Sequence, residues 1–414
     1  IALWVARMVM SSLYFLDEVP FHDVVIYPTI LAKDGSRMSK SKGNGVDPMD
    51  LIDMYGADAM RFNLLTLCTN NQDVKFDADI DKKTKKLKGS PRTEQARAFV
   101  TKIWNASRFL LMNMDGYTPG EPVAKTAADA WMFSRLAKAV KLVTEGIEHY
   151  TFGEMARGVQ NFFWNEVCDW YVEVTKTRLK DDASRLQAQR NLIFVLDTSL
   201  RLMHPLMPFV TEAIWDTMPA SCLDIKEDGT CERAEALMVA QWPEPEAFAS
   251  YIDEESERSF ELARTLVSDV RSTRARYRLS PKEPLAVVVK AASGEVKGAV
   301  EGMGEFIRDL ANLSELTVAL PEGFTKPQKA IALAGADMDC YVVVGDLVDF
   351  DAEKARLEKE LAAAEKELVG AQKTLGNPGF VAKAAPEVVA KKRARAEELT
   401  ETIASVKAQL ADFA

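Results

Sequence analysis

The strongest periodic signal in the chain lies at its end. Leu357, Leu361, Ala364, Leu368, Ala371 and Leu375 alternate spacings of four and three, and a second such seam runs through Val389, Ala396, Leu399, Ile403, Val406, Leu410 and Phe413. Both are a/d seams. Gly376, Asn377, Pro378 and Gly379 separate them, which predicts an antiparallel coiled-coil hairpin with arms about 35 Å long at ~1.5 Å per residue. Helical periodicity also fills 94–114, 128–150, 152–179, 184–203 and 209–218, broken at Pro119, His204-Pro205 and Pro219. Short connections between such helices predict a bundle. Trp104, Phe162, Phe163, Trp164, Trp170 and Tyr171 read as its core packing. A further helix over 253–276 precedes short β runs at 285–290, 316–320, 330–333 and 340–344, with a helix near Phe306, a pattern that predicts a small α/β module.

The amino-terminal part reads differently. Ile1 to Leu16 is largely apolar and predicts a buried helix, followed by a strand over Asp23–Leu31, a turn at 33–36 and a helix opened by Asp47 and Pro48. A second helix runs from about Asp58 to Leu67. Helix, strand, loop and helix suit the tail of a doubly wound (Rossmann-like) α/β domain, with the loop at the carboxyl end of a strand. The first apolar run lacks a basic n-region and is too short to cross a bilayer. A chain that opens inside such a domain is expected to be part of something longer. The basic stretch 81–97 and the irregular stretch 220–250 divide the chain into expected domains 1–80, 81–220, 221–350 and 351–414, mainly α overall.

Composition narrows the partners. The chain has 414 residues, 47% hydrophobic and 28% charged, with a net charge of -10. No overall positive field draws in nucleic acid, so any contact with it must come from local patches. Candidates are the 81–97 linker, the cluster Arg271, Arg274, Arg276 and Arg278, and the hairpin tip, where Lys373, Lys383, Lys391, Lys392, Arg393 and Arg395 gather while Glu358, Glu360, Glu397, Glu398 and Glu401 sit further down the arms. Solvated helix faces carry such charges too. The five cysteines are far apart and form no C-x-x-C pair, which argues for a reducing compartment and against a zinc site.

One loop has candidate chemistry. Arg37, Met38, Ser39, Lys40 and Ser41, continuing through Lys42, Gly43, Asn44 and Gly45, place three cations and two hydroxyls between glycines. Cations and hydroxyls suit phosphate oxygens, and glycines let backbone approach an anion. A solvated charged loop has the same charges; the order of residues separates the two readings. The string at residues 35–62, GSRMSKSKGNGVDPMDLIDMYGADAMRF, resembles the KMSKS signature of class I aminoacyl-tRNA synthetases and its continuation in the valine, isoleucine, leucine and methionine enzymes. Trp4-Val5-Ala6-Arg7-Met8, the WNASRF string at 104–109, Cys168-Asp169-Trp170-Tyr171 and the HPLMPF string at 204–209 are similar to the valine enzymes and have counterparts in the isoleucine and leucine enzymes. The NPGFVAKAAPEVV string at 377–389 resembles the hairpin loop of the valyl-tRNA synthetases.

That resemblance implies ATP-dependent activation of valine and its transfer to tRNA-Val, in a cytoplasmic, monomeric enzyme with no membrane partner. ATP is then a substrate, with Mg2+ expected in the parent enzyme. Lys40 matches the family's ATP-binding lysine; Arg37 stands for the usual first lysine, and Ser39 and Ser41 are expected to donate to phosphate. Gly35, Gly43 and Gly45 are implied hinges, and Trp4 is either a wall of the amino-acid pocket or a core residue. The bundle is implied to bind the anticodon, and Arg271, Arg274, Arg276, Lys391, Lys392 and Arg393 are the tRNA-contact candidates. Two departures stand out. Tyr27-Pro28 replaces a common His-Gly, and with only His22, His149 and His204 in the chain the HIGH signature does not occur. The inserted editing domain is missing from the sequence as well. These 414 residues alone are therefore expected not to form valyl-adenylate. An isoleucyl or leucyl relative, or a non-catalytic tRNA-binding scaffold, are the alternatives; an intact M-S-K-S speaks against the scaffold.

Overall fold

A computed structural model describes residues 3–375, apart from 27, 40, 69–71, 82, 85, 227 and 349, and isolated positions between 393 and 410. It separates into two compact units, Ile1–Glu254 and Glu255–Ala414, and most of the described chain is helical with small sheets.

The first unit opens with α1 (Val5–Leu16), β1 (Ile30–Leu31), α2 (Pro48–Tyr55) and α3 (Ala57–Thr66). Contrary to the buried helix read from sequence, α1 buries none of its residues. Tyr14 and Phe15 are 83% and 77% exposed, so among the described residues this apolar stretch is left uncovered. The strand expected over Asp23–Leu31 shrinks to Ile30–Leu31. Its partner β2 (Val74–Lys75) offers two residues of parallel pairing, Ile30 with Val74 and Leu31 with Lys75. The predicted α2 start is observed, with Asp47 accepting the Met49 N–H at 2.9 Å and Pro48 in the first turn.

A small antiparallel pair, β3 (Asp79–Ile80) and β4 (Leu87–Gly89), leads into the bundle: α4 (Pro91–Leu111), α5 (Ala127–Glu148), α6 (Phe152–Asn161), α7 (Val172–Arg178), α8 (Arg185–Met203), α9 (Pro208–Trp215) and the short α10 (Pro245–Phe248). The helix predicted over 152–179 is continuous but not uniform, since Phe162–Tyr171 between α6 and α7 is a π-helix. α8 is buried almost throughout, as a central helix must be, and its polar residues find partners inside. Arg201 forms a pair with Asp197 at 2.9 Å, reaches Asp224 at 3.2 Å and donates to the Gln241 carbonyl. Elsewhere in the core, fully buried Asp129 closes a capping box with Thr126 and accepts from Tyr171 and Arg178. The aromatics expected in the core divide: Phe162, Phe163 and Tyr171 are buried, whereas Trp104 is 46% exposed.

The second unit begins with α11 (Glu254–Arg276), followed by β5 (Leu285–Ala291), α12 (Gly294–Gly302), α13 (Gly304–Ala311), β6 (Leu313–Ala319), β7 (Ala330–Leu333) and β8 (Met338–Val343). The sheet order is β6-β5-β8-β7, with β5 and β6 parallel and the other pairs antiparallel. Leu285, Val287, Val289 and Ala291 alternate inward along β5, as a sheet covered on one face requires. Phe260 of α11 meets Phe306 of α13 at 4.9 Å in that core. The last described helix, α14 (Phe350–Leu375), carries the first heptad seam.

Candidate phosphate loop and its support

The R-M-S-K-S loop stands on two apolar feet. Met38 and Val46 pack against a core of Leu51, Phe76 and Ala78, joined by Tyr55, Met60 and Leu64. The residues between them arch outward. Before the loop, the chain reverses: Leu31 bridges Arg37 antiparallel, the Gly35 N–H donates to the Ala32 carbonyl at 2.8 Å, and Gly35 takes φ +80°. Gly43 takes φ +59° at the far side of the arch. Both conformations favour glycine over any residue with a Cβ. Gly45, the third expected hinge, has no positive φ and no neighbour that a Cβ would meet.

Inside the arch the hydrogen bonds converge on Asn44. Its Oδ1 accepts the Ser39 N–H at 2.9 Å, while its Nδ2 donates to Ser36 Oγ at 2.9 Å and to the Arg37 carbonyl at 3.3 Å. Ser39 Oγ accepts the Lys42 N–H and lies 3.3 Å from Ser41 Oγ. Arg37, Ser41 and Lys42 are exposed and Ser39 is half-buried. Asp34, whose carboxylate accepts from Ser36, is held below its usual pKa by that bond. Lys40 lies outside the described residues. The loop thus presents cationic and hydroxyl side chains outward from a cross-tied backbone, the donor set that an anionic oxygen needs. Among the described residues no group of three or more His, Cys, Asp or Glu side chains could hold a metal ion.

Behind the loop, α3 fastens the arch's foundation to the bundle. Asp58, in its first turn, accepts the backbone N–H groups of Phe209 (3.2 Å) and Val210 (2.6 Å) at the start of α9. A carboxylate at a helix N-terminus satisfies orphan donors and opposes the positive end of the dipole. Burial nevertheless pushes its pKa above the usual value. Arg61 donates to the Pro205 carbonyl at 3.1 Å, and the Ser90 N–H donates to the Tyr55 hydroxyl at 2.8 Å. The GADAMRF and HPLMPF strings are therefore two sides of one junction. The sequence alone marks Asn44 only as part of the loop string and Asp58 only as the start of a helix. An amide residue between two glycines, and an acid in the first turn of a helix, were the available signals.

The remaining candidates fall into four groups. Trp4 is 70% exposed, with Arg7 4.6 Å over its ring, so it is not a core tryptophan in this structure. Arg274 is corrected: it is 7% exposed, and its guanidinium donates to the carbonyls of Ser280, Glu283, Ala311 and Asn312. A side chain so occupied ties α11 to the end of α13 and the turn before β5. Arg271 is exposed while holding the Leu310 carbonyl, and Arg276 is exposed. Arg393 is a described helical position, whereas Lys391 and Lys392 lie outside the described residues.

Three family models match successive stretches of the chain. The family model described as "tRNA synthetases class I (I, L, M and V)" matches residues 1–77, "Anticodon-binding domain of tRNA ligase" matches 129–289, and "Valyl tRNA synthetase tRNA binding arm" matches 349–414. A valine--tRNA ligase of Symbiobacterium thermophilum is 37% identical over 99% of this chain and 44% of its own length. Those of Geobacillus kaustophilus and Thermotoga maritima are each 36% identical over 100% of this chain and 44% of theirs. The chain spans under half the length of the curated relatives it matches. Along its whole length the chain is thus similar, at 36–37% identity, to a part of these valine--tRNA ligases, and its last stretch matches the valyl tRNA-binding arm.

Proposed function

We propose that this chain forms the nucleotide-loop side and the tRNA-binding part of an enzyme that activates valine with ATP and transfers it to tRNA-Val. The observation that carries the reading is the loop itself, an R-M-S-K-S-K-G-N arch seated on its own core and presenting Arg37, Ser41 and Lys42 outward. In the reaction a valine carboxylate oxygen bonds to the α-phosphorus of ATP as the bond to the pyrophosphate oxygen breaks. Negative charge grows on the departing pyrophosphate, and cations fixed beforehand lower that barrier. Arg37 and Lys40 supply the charge, and the Ser39 and Ser41 hydroxyls supply short donors. Mg2+ is expected with the ATP substrate in the parent enzyme.

We read residues 1–80 as the carboxyl-terminal part of a doubly wound α/β domain; the parallel pairing of Ile30 with Val74 supports it. We read 81–220 as the anticodon-binding bundle, 221–350 as connector and α/β module, and 351–414 as a coiled-coil arm. Ala364, Leu399 and Ile403 share an apolar cluster with Leu361 and Leu368, and Lys407 pairs with Glu365 at 2.8 Å, contacts that fit two helices side by side. Arg271, Arg276, Lys391, Lys392 and Arg393 are the tRNA contacts in this reading, made by a cytoplasmic monomer. No helix among the described residues is long and apolar enough to cross a membrane.

The test is amino-acid-dependent ATP–pyrophosphate exchange by the full-length enzyme that carries this sequence. Valine should stimulate exchange; stimulation by isoleucine or leucine instead would reassign the substrate. The 414 residues alone should retain tRNA binding without exchange. Exchange above background by them would overturn the placement of half the active site elsewhere.

A further inference from the structure

Within the phosphate-loop reading, we propose that Asn44 is the positioning residue that shapes the loop before any ligand arrives. Among the described residues its carboxamide crosses the arch, reaching from the returning limb to Ser36, Arg37 and Ser39 on the outgoing one. The orientation of the amide is fixed by partners with single roles. A backbone N–H only donates, so Ser39 faces Oδ1; a backbone carbonyl only accepts, so Arg37 faces Nδ2. Met38 and Val46 pin the feet of the arch in the core, and Gly43 at φ +59° turns the chain so that Asn44 points back beneath it. The tie has a chemical consequence. The Ser39 N–H is already committed to Asn44, and the Lys42 N–H to Ser39 Oγ. An anion is therefore met by the exposed side chains of Arg37, Ser41 and Lys42 rather than by these amides, and a loop fixed in advance loses less entropy on binding.

Asparagine is the residue this job requires. Aspartate could still accept from Ser39, but it could not donate to Ser36 or to the Arg37 carbonyl, and it would set a negative charge under the anion site. Alanine would remove all three bonds.

The experiment uses the 414-residue chain and its Asn44→Ala, Asn44→Asp, Ser36→Ala and Asn44→Ala/Ser36→Ala variants. Site-resolved hydrogen exchange of the Ser39 amide is one readout, and titration with inorganic tripolyphosphate, followed at the loop amides, is the other. Asn44→Ala should raise Ser39 exchange about tenfold or more and weaken tripolyphosphate binding by a similar factor. Ser36→Ala should add nothing once Asn44 is alanine. Asn44→Asp should keep part of the Ser39 protection yet lose the anion, a split that loss of fold cannot produce. The Val210 amide, held by Asp58, reports that the fold is intact in every variant. Unchanged Ser39 exchange in Asn44→Ala, or additive effects of the two alanines, overturns the role of Asn44. Failure of the wild-type chain to bind tripolyphosphate overturns the phosphate-loop reading instead, and the exchange data still decide the tie.

Discussion

The Asp58 carboxylate accepts the Val210 N–H at 2.6 Å across 152 positions of sequence, and with it the foundation of the loop is joined to a bundle helix. Removing that acceptor leaves two N–H groups at the start of α9 without partners. Asp58→Ala should lower stability by about 1–2 kcal/mol, the scale of a lost helix cap. Thermal or urea unfolding, with Phe209 and Val210 amide exchange as a local probe, checks this.

The same junction holds a pH response. His204 bonds Thr211 through Nδ1 at 2.8 Å, whereas its Nε2 is buried without a hydrogen-bond partner and lies 3.9 Å from Glu212. Burial lowers the His204 pKa below 6.5 despite the opposing pull of Glu212 and Asp58; Arg61 is the cation on the facing helix. A histidine kept neutral by the fold binds fewer protons than the unfolded chain does, so its contribution is present above pH 6.5 and is lost as pH falls through the folded value. Unfolding measured from pH 7.5 downward should show this loss in the wild type and a shallower dependence in His204→Asn.

Arg274 gives a prediction of the opposite kind from its first reading. Arg274→Ala takes the donor from the buried Ala311 carbonyl, while the Asn312 carbonyl keeps the Leu285 N–H, and a buried unsatisfied acceptor costs about 1–3 kcal/mol. Lysine, a single point donor, should not restore the fork. Amide exchange along β5 and β6 should rise in both variants.

Close helix contact in the bundle rests on three glycines. A Cβ at Gly153 would lie 2.0 Å from the Cys68 carbonyl oxygen, at Gly158 2.1 Å from Leu142 Cδ2, and at Gly146 2.7 Å from Met155 Cβ. Backbone cannot yield as a side-chain tip can. Gly153→Ala should therefore destabilise most, by roughly 1–3 kcal/mol or more as overpacking does, and Gly158→Ala less. Denaturant midpoints of the two variants check the order.

Charge reversal at Lys391, Lys392 and Arg393 should weaken tRNA binding and reduce its dependence on salt, because fewer phosphate contacts release fewer counterions. Filter binding at several salt concentrations measures both; an unchanged slope removes the tip as a contact.

Much of this was legible along the chain. Periodicity located the bundle helices to within a few residues because apolar stripes must face a core, and Asp47-Pro48 marked a helix start by local chemistry alone. What stayed hidden depends on non-local partners. The run 23–31 has strand composition, yet strand length is set by a neighbour, and β2 supplies two residues. The π-helix at Phe162–Tyr171 leaves no trace in composition. Arg274 looked like one of a cluster of cations, although it continues the buried stripe Ala263, Val267 and Val270 of α11 and could have been separated from Arg271 and Arg276 on that ground. In the loop, residue types revealed the chemistry, while the role of Asn44 emerged only when its two limbs could be seen facing each other.

The two-residue parallel pairing of β1 with β2 also sets an order of events. Ile30 and Val74 enclose the whole arch and both of the helices that follow it, so their encounter closes a long loop before any sheet bond rewards it. The nucleotide loop should consequently be among the last segments to acquire protection during refolding and among the first to admit a protease, leaving the bundle behind it intact.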